Sequence, residues 1–165
     1  MTFNTLHDVY HDQIQDLHSA CVQSMEVTTE LGRAATNKEL SEALIAGSNG
    51  IAEGIEALKS ISAAHDLNPA GEHCKGMEGL VKEARAHALQ ADFGDDDVRD
   101  AVIITQYQRM VHYALAGYGS LLAFANRLEL TDDAAKLQKQ LDETYDGDRH
   151  MTQIATKGGI NKAAA

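Results

Sequence analysis

The sequence predicts an all-α protein, folded as a four-helix bundle with one additional shorter helix. Apolar residues recur every three or four positions through four long segments, which is the pattern of helices packed in a bundle. Proline, the strongest helix breaker, occurs only once, at Pro69. A chain of 165 residues is long enough to bury a core of its own, so we expect one domain.

The first two helices are predicted over residues 5–34 and 36–64. A capping box of Thr36 and Glu39 is expected to begin the second helix. The stripe of the first helix consists of apolar or small residues: Phe3, Leu6, Tyr10, Leu17, Cys21, Ser24, Thr28 and Leu31. The stripe of the second is aliphatic: Leu40, Leu44, Ile51, Ile55, Leu58 and Ile61.

Residues 65–76 form the main connection, because Pro69 and two glycines break the helical pattern there. The remaining helices are predicted over residues 77–91, 98–128 and 131–155. We expect an aspartate of the "DFGDDD" turn to cap the fourth helix and Thr131 to cap the fifth. The bundle therefore spans residues 1–155, and residues 156–165 are expected to form a flexible C-terminal tail.

The net charge of −11 argues against nucleic acids and anionic membranes as partners, since both require a basic surface. No apolar run is long enough to span a bilayer, and the N-terminal residues do not resemble a secretory signal. The two cysteines, Cys21 and Cys74, are too few for a disulfide framework. We therefore expect a cytoplasmic protein of bacterial type.

Three stretches carry a family resemblance: "CKGMEGLVKEA", "VRDAVIITQYQRMVHYALAGYGSL" and "LDETYDGDRHMTQIA". They resemble the signature stretches of the YciE/YciF-type ferritin-like proteins, which are bacterial stress-associated proteins. The resemblance covers nearly the whole chain. It implies a ferritin-like bundle, a homodimer and a two-metal site inside the bundle, held by carboxylates and imidazoles.

This sequence departs from the family at the metal-ligand positions. Where the resemblance places carboxylates or a Gln or His, this chain has small and mostly apolar residues: Cys21, Gly50, Gly54, Val111, Ala114 and Thr144. An unpaired buried carboxylate is unfavourable once its metal is lost, so these six replacements indicate that the site was removed as a unit. We expect no cofactor.

An alternative is a relocated metal site that binds iron or manganese, in an oxidoreductase or iron-binding protein. Four remaining side chains are candidates for it: Glu53, Glu78, His112 and Asp148. The competing interpretation of His112 is a hydrogen-bonded histidine packed beside Tyr113 in a helix interface. Cys21 is expected to be a small buried hydrophobe and not a redox thiol.

The face of Gly47, Gly50 and Gly54 on the second helix has two interpretations. The glycines either allow close helix packing or leave a void where a family member holds its metals. A large void is unfavourable, so we expect the bundle to collapse around it and not to hold water or a small ligand. Small-molecule binding in the vacated core remains a third hypothesis for the function.

The preferred prediction is a non-enzymatic, metal-free protein with a structural or interaction role. We also expect a homodimer, because the fourth helix has apolar residues around most of its circumference. Those positions are Val102, Ile103, Ile104, Tyr107, Met110, Val111, Leu115, Tyr118, Leu121, Leu122 and Phe124.

Overall fold

The computed structural model describes residues 2–165, and over this range the chain is an all-α bundle, as predicted. Met1 of the predicted domain lies outside the described residues. The helices are α1 (Leu6–Ala34), α2 (Lys38–Ala64), α3 (Lys75–Ala84), α4 (Asp96–Arg127), α5 (Thr131–Thr156) and α6 (Ile160–Ala163). A single π-helical turn, Arg85–Leu89, continues α3.

The four long helices pack in the order α1, α2, α5, α4 around the bundle, and neighbours run antiparallel. At one end, Tyr10 near the start of α1 and His65 after α2 both contact Asp133 in the first turn of α5. At the other end, the loop after α1 is hydrogen-bonded to Asp100 in α4. The connection 65–95 must therefore return along the whole bundle, and it carries α3 against α1 and α4.

Asp100 fixes the loop between α1 and α2. Its side chain is fully buried and accepts three hydrogen bonds, from the Thr36 amide (2.9 Å), the Thr36 hydroxyl (2.8 Å) and the Asn37 amide (2.7 Å). The capping box predicted for α2 is therefore wrong. Asn37 is the N-cap, and its side chain accepts from the Leu40 amide, whereas the Thr36 hydroxyl donates to Asp100.

The N-terminus of α5 also differs from the prediction. Thr131 is the first helical residue and not the cap, and the N-cap position is Leu130, which offers no side-chain hydrogen bond. The prediction for α4 is confirmed, because the Asp95 side chain accepts from the Asp97 amide. The N-caps of α2 and α5 were thus misplaced by sequence alone, whereas that of α4 was predicted correctly.

The C-terminal residues are more ordered than the predicted flexible tail from residue 156 onwards. Helix α5 continues through Thr156, and α6 follows after Gly159, whose φ of +89° is the left-handed conformation that glycine favours. Ile160 is buried in the core and α6 packs against α4 and α5.

The apolar surface of α4 is covered within one chain. Each of its eleven apolar positions named above is buried or half-buried, because α1, α3, α5 and α6 all pack against this helix. The apolar surface of α4 therefore does not require a partner subunit to cover it. The homodimer stays a prediction that rests on the family resemblance.

Candidate functional site

A cavity of about 490 Å³ lies in the middle of the bundle, between two clusters of buried side chains. All four long helices line it. From α1 and α4 come buried or half-buried residues: Cys21, Ser24, Thr28, Tyr107, Met110, Val111, Ala114 and Tyr118. Every exposed residue of the lining belongs to α2 or α5, so the cavity opens between these two helices.

The cavity lies where the family resemblance implies a metal site. Five of the six positions that correspond to family ligands line it: Cys21, Gly50, Val111, Ala114 and Thr144. The expectation that the bundle collapses around these replacements is therefore wrong. The cavity opens to solvent between α2 and α5, so it is not a sealed dry void. Solvent or a ligand must therefore fill it.

Two tyrosines explain why the bundle does not close. A Cβ on Gly47 would lie 2.9 Å from the Tyr107 hydroxyl, and one on Gly54 would lie 2.5 Å from the Tyr118 hydroxyl. A Cβ on Gly50, between them, meets nothing within 4 Å. Gly47 and Gly54 thus make room for two rigid rings that hold α2 away from α4, while Gly50 faces open space.

This difference among the glycines predicts opposite effects of the same substitution. Gly50→Ala is expected to stabilise the protein by about 0.5–1 kcal/mol, because alanine restricts the unfolded chain and here meets no neighbour. Gly54→Ala is expected to destabilise it by about 1–2 kcal/mol, because Tyr118 is buried and cannot move freely. Urea denaturation of both variants measures this. Equal effects would contradict the assignment of Gly50 to the cavity wall.

The residues of the cavity do not fit a pair of hard metal ions, which need carboxylate and imidazole ligands. Cys21 shares a hydrogen bond with the Tyr118 hydroxyl (3.6 Å), and burial raises the pKa of its thiol to about 11. The Thr144 hydroxyl donates to the Gln140 carbonyl at 2.6 Å. Neither side chain therefore presents an anionic ligand to the cavity at neutral pH.

Three carboxylates do border the cavity, but they lie at its mouth. Glu39 and Glu42 on α2 and Glu143 on α5 are all exposed, and exposed His150 lies beside them on α5. Within residues 2–165, no three His, Cys, Asp or Glu side chains are grouped so that they could hold a metal ion.

The four residues of the relocated site do not converge. Glu53 is exposed and lies 3.9 Å from Lys139, whereas Glu78 pairs with His73 and Lys82 on another part of the surface. These two partners lower the pKa of the Glu78 carboxyl to about 2.

Only His112 and Asp148 meet, with Nε2 and Oδ1 3.2 Å apart. His112 is therefore a hydrogen-bonded histidine between α4 and α5, as the competing interpretation predicted, although its side chain is 63% exposed. One helical residue after Val111, it points about 100° away from the cavity.

Several polar residues that sequence reasoning did not single out border the cavity. Thr28 is 1% exposed and its hydroxyl has no hydrogen-bond partner. The side chains of Tyr107 and Gln140 are about 95% buried, and neither forms a hydrogen bond with the described residues. Buried polar groups are normally paired, so the unpaired Thr28 hydroxyl distinguishes this part of the cavity wall from ordinary core.

The fold and the cavity together define an all-α bundle whose central space lacks a metal-ligand set. Residues 5–165 match the family described as "Domain of unknown function (DUF892)", and the chain belongs to this family. The protein YciF of Escherichia coli strain K12 is 30% identical over 165 residues, which is 99% of this chain and 98% of that protein. The predicted resemblance is therefore confirmed.

Two solved structures share the fold. The crystal structure of the E. coli stress protein YciF has a TM-score of 0.86 at 30% identity and covers 93% of this chain and 96% of that one. YcfI, described as a putative structural protein from Rhodopseudomonas palustris, has a TM-score of 0.85 at 28% identity. It covers 93% of this chain and 99% of that one. No helix within residues 2–165 is long and apolar enough to cross a membrane.

Proposed function

We propose that this protein is a non-enzymatic, metal-free member of its family that binds an apolar small molecule in the core cavity. The observation that supports this most directly is the cavity itself, which lies where the resemblance places metal ligands and is walled by Val111, Ala114 and Met110. Its volume of about 490 Å³ falls within the usual range of ligand pockets. A stress-associated setting is supported by the relative described as a stress protein.

Binding of a neutral apolar fluorophore, phenylnaphthylamine, tests this function. We expect saturable binding with one site per chain, and Ala114→Phe is expected to weaken it more than tenfold because the ring occupies the cavity. Ala116→Phe is the matched control: it lies two residues away on α4, is exposed, and does not line the cavity. Absence of saturable binding, or equal binding by both variants, would contradict the proposal.

The proposal of a metal-free protein predicts that chelation does not affect folding. Only a ligand that binds the native state adds to its stability, so removal of an absent metal changes nothing. We expect the melting temperature to be the same with and without EDTA, and unchanged by added iron or manganese. A fall of several degrees with EDTA, reversed by either ion, would instead support the alternative of a metal-binding protein.

The second candidate is a structural or interaction role without a ligand. The relative described as a putative structural protein favours it. The fluorophore experiment separates the two, because a purely structural protein has no reason to keep a cavity that discriminates between Ala114→Phe and Ala116→Phe.

A further inference from the structure

The mouth of the cavity is lined mainly by acidic side chains. Of the residues that line the cavity, Glu39, Glu42 and Glu143 are acidic, His150 is the basic side chain among them, and neither lysine nor arginine lines the cavity. Lys38 lies 3.7 Å from Glu42 and Lys139 lies 3.6 Å from Glu143, but both pairs are exposed and such pairs contribute little. Glu39 has no ion-pair partner among the described residues. A ligand that enters between α2 and α5 therefore passes three carboxylates.

The interior adds a second and independent observation. The Thr28 hydroxyl is buried, lines the cavity and has no hydrogen-bond partner among residues 2–165. The side chains of Tyr107 and Gln140 also line the cavity and form no hydrogen bond with the described residues. The Tyr107 hydroxyl lies next to Gly47 and Gly147, which both line the cavity. A buried polar group without a partner costs about 1–3 kcal/mol. A ligand with a hydrogen-bond donor would satisfy these groups.

The remaining wall is apolar. Ile51, Met110, Val111, Ala114 and Met151 offer aliphatic and thioether surface to the body of a ligand. An anionic ligand is disfavoured, because it would bring a negative charge to a mouth with three carboxylates and neither lysine nor arginine. A strongly polar ligand would leave this apolar surface without a partner.

We infer that the cavity binds an organic amine: a cation with an apolar body, held with its body among the aliphatic residues and its ammonium group at the acidic mouth between α2 and α5. The inference rests on the proposed function, because it specifies the ligand class for the same cavity. The charge of the ligand is therefore expected to decide its affinity when its body is kept the same.

Three probes with one apolar body test this: phenylbutylamine, phenylbutanol and phenylbutyrate. By titration calorimetry we expect the amine to bind most tightly and phenylbutyrate at least tenfold more weakly. The combined variant E39Q/E42Q/E143Q is expected to bring the amine and the carboxylate within about twofold of each other. The matched control E56Q/E72Q/E83Q removes the same charge at positions outside the cavity and is expected to keep the preference.

Each other outcome is decisive. If the three probes bind equally, or phenylbutyrate binds most tightly, the amine inference is overturned and the cavity function stands. If phenylnaphthylamine binds and none of the three probes does, the amine inference is likewise overturned and the cavity function stands. If no probe binds, phenylnaphthylamine included, both the inference and the proposed function fail. A preference that the control variant abolishes equally would assign it to the net charge of −11 and overturn the inference.

Discussion

Asp100→Ala is expected to destabilise the protein by about 3 kcal/mol, because the carboxylate accepts three hydrogen bonds and its loss leaves their donors unpaired. Those bonds connect α4 to the loop in which α1 ends and α2 begins, so the effect reaches three helices. Asp100→Asn is expected to cost about half as much, since the amide keeps one acceptor oxygen. Urea denaturation measures both changes as a shift of the midpoint at constant slope.

The control for Asp100→Ala is Asp92→Ala. Asp92 is exposed, lies before α4, and forms no side-chain hydrogen bond with the described residues, so its replacement is expected to change stability by less than about 0.5 kcal/mol. If the two alanine variants unfold at the same urea concentration, Asp100 does not fix the loop.

Ala114→Glu is expected to destabilise the protein by about 2 kcal/mol at neutral pH and to have a carboxyl pKa above its ordinary value. Ala114 is half-buried and lines the cavity, so the new carboxylate loses much of its hydration and meets neither a cation nor a metal. Because the folded-state pKa would be raised, the destabilisation should shrink as the pH falls and the carboxyl becomes neutral. Chemical denaturation at several pH values measures this.

Ala116→Glu provides the comparison, because Ala116 is exposed on the same helix. This variant should unfold like the parent protein, within about 0.5 kcal/mol. A neutral effect of Ala114→Glu with an ordinary pKa would show that position 114 is well hydrated. The cavity would then be a wide solvent channel and a poor site for an apolar ligand.

The helices could be predicted from the sequence because burial follows a helical period. The end of α2 at Ala64 was predicted, and the start of α4 was misplaced by two residues. The N-caps were predicted less well, since the same side chain can hydrogen-bond either to its own helix or to a residue that is distant in sequence. Thr36 has a side chain that can cap α2, but its backbone amide and hydroxyl bind Asp100, which is distant in sequence, and Asn37 is the N-cap.

The cavity could not be predicted, although the residues that border it could be named. The sequence shows that carboxylates are missing at Val111 and Ala114, but not whether the helices then move together. That outcome depends on Tyr107 and Tyr118, whose hydroxyls fit over Gly47 and Gly54 and leave the space at Gly50 open. Two bulky side chains acting as spacers across a bundle leave no periodic signal in the sequence.

The path of residues 65–95 has a mechanical consequence. Short loops join α1 to α2 and α4 to α5, so the bundle consists of two helical hairpins that meet along two seams. The interface between α1 and α4 is covered by α3, which packs on both helices and holds the two hairpins together on that side. Within residues 2–165 no third helix packs on both α2 and α5, and the cavity opens to solvent between these two helices. A ligand can therefore reach the cavity between α2 and α5 without displacing α3 or either hairpin loop.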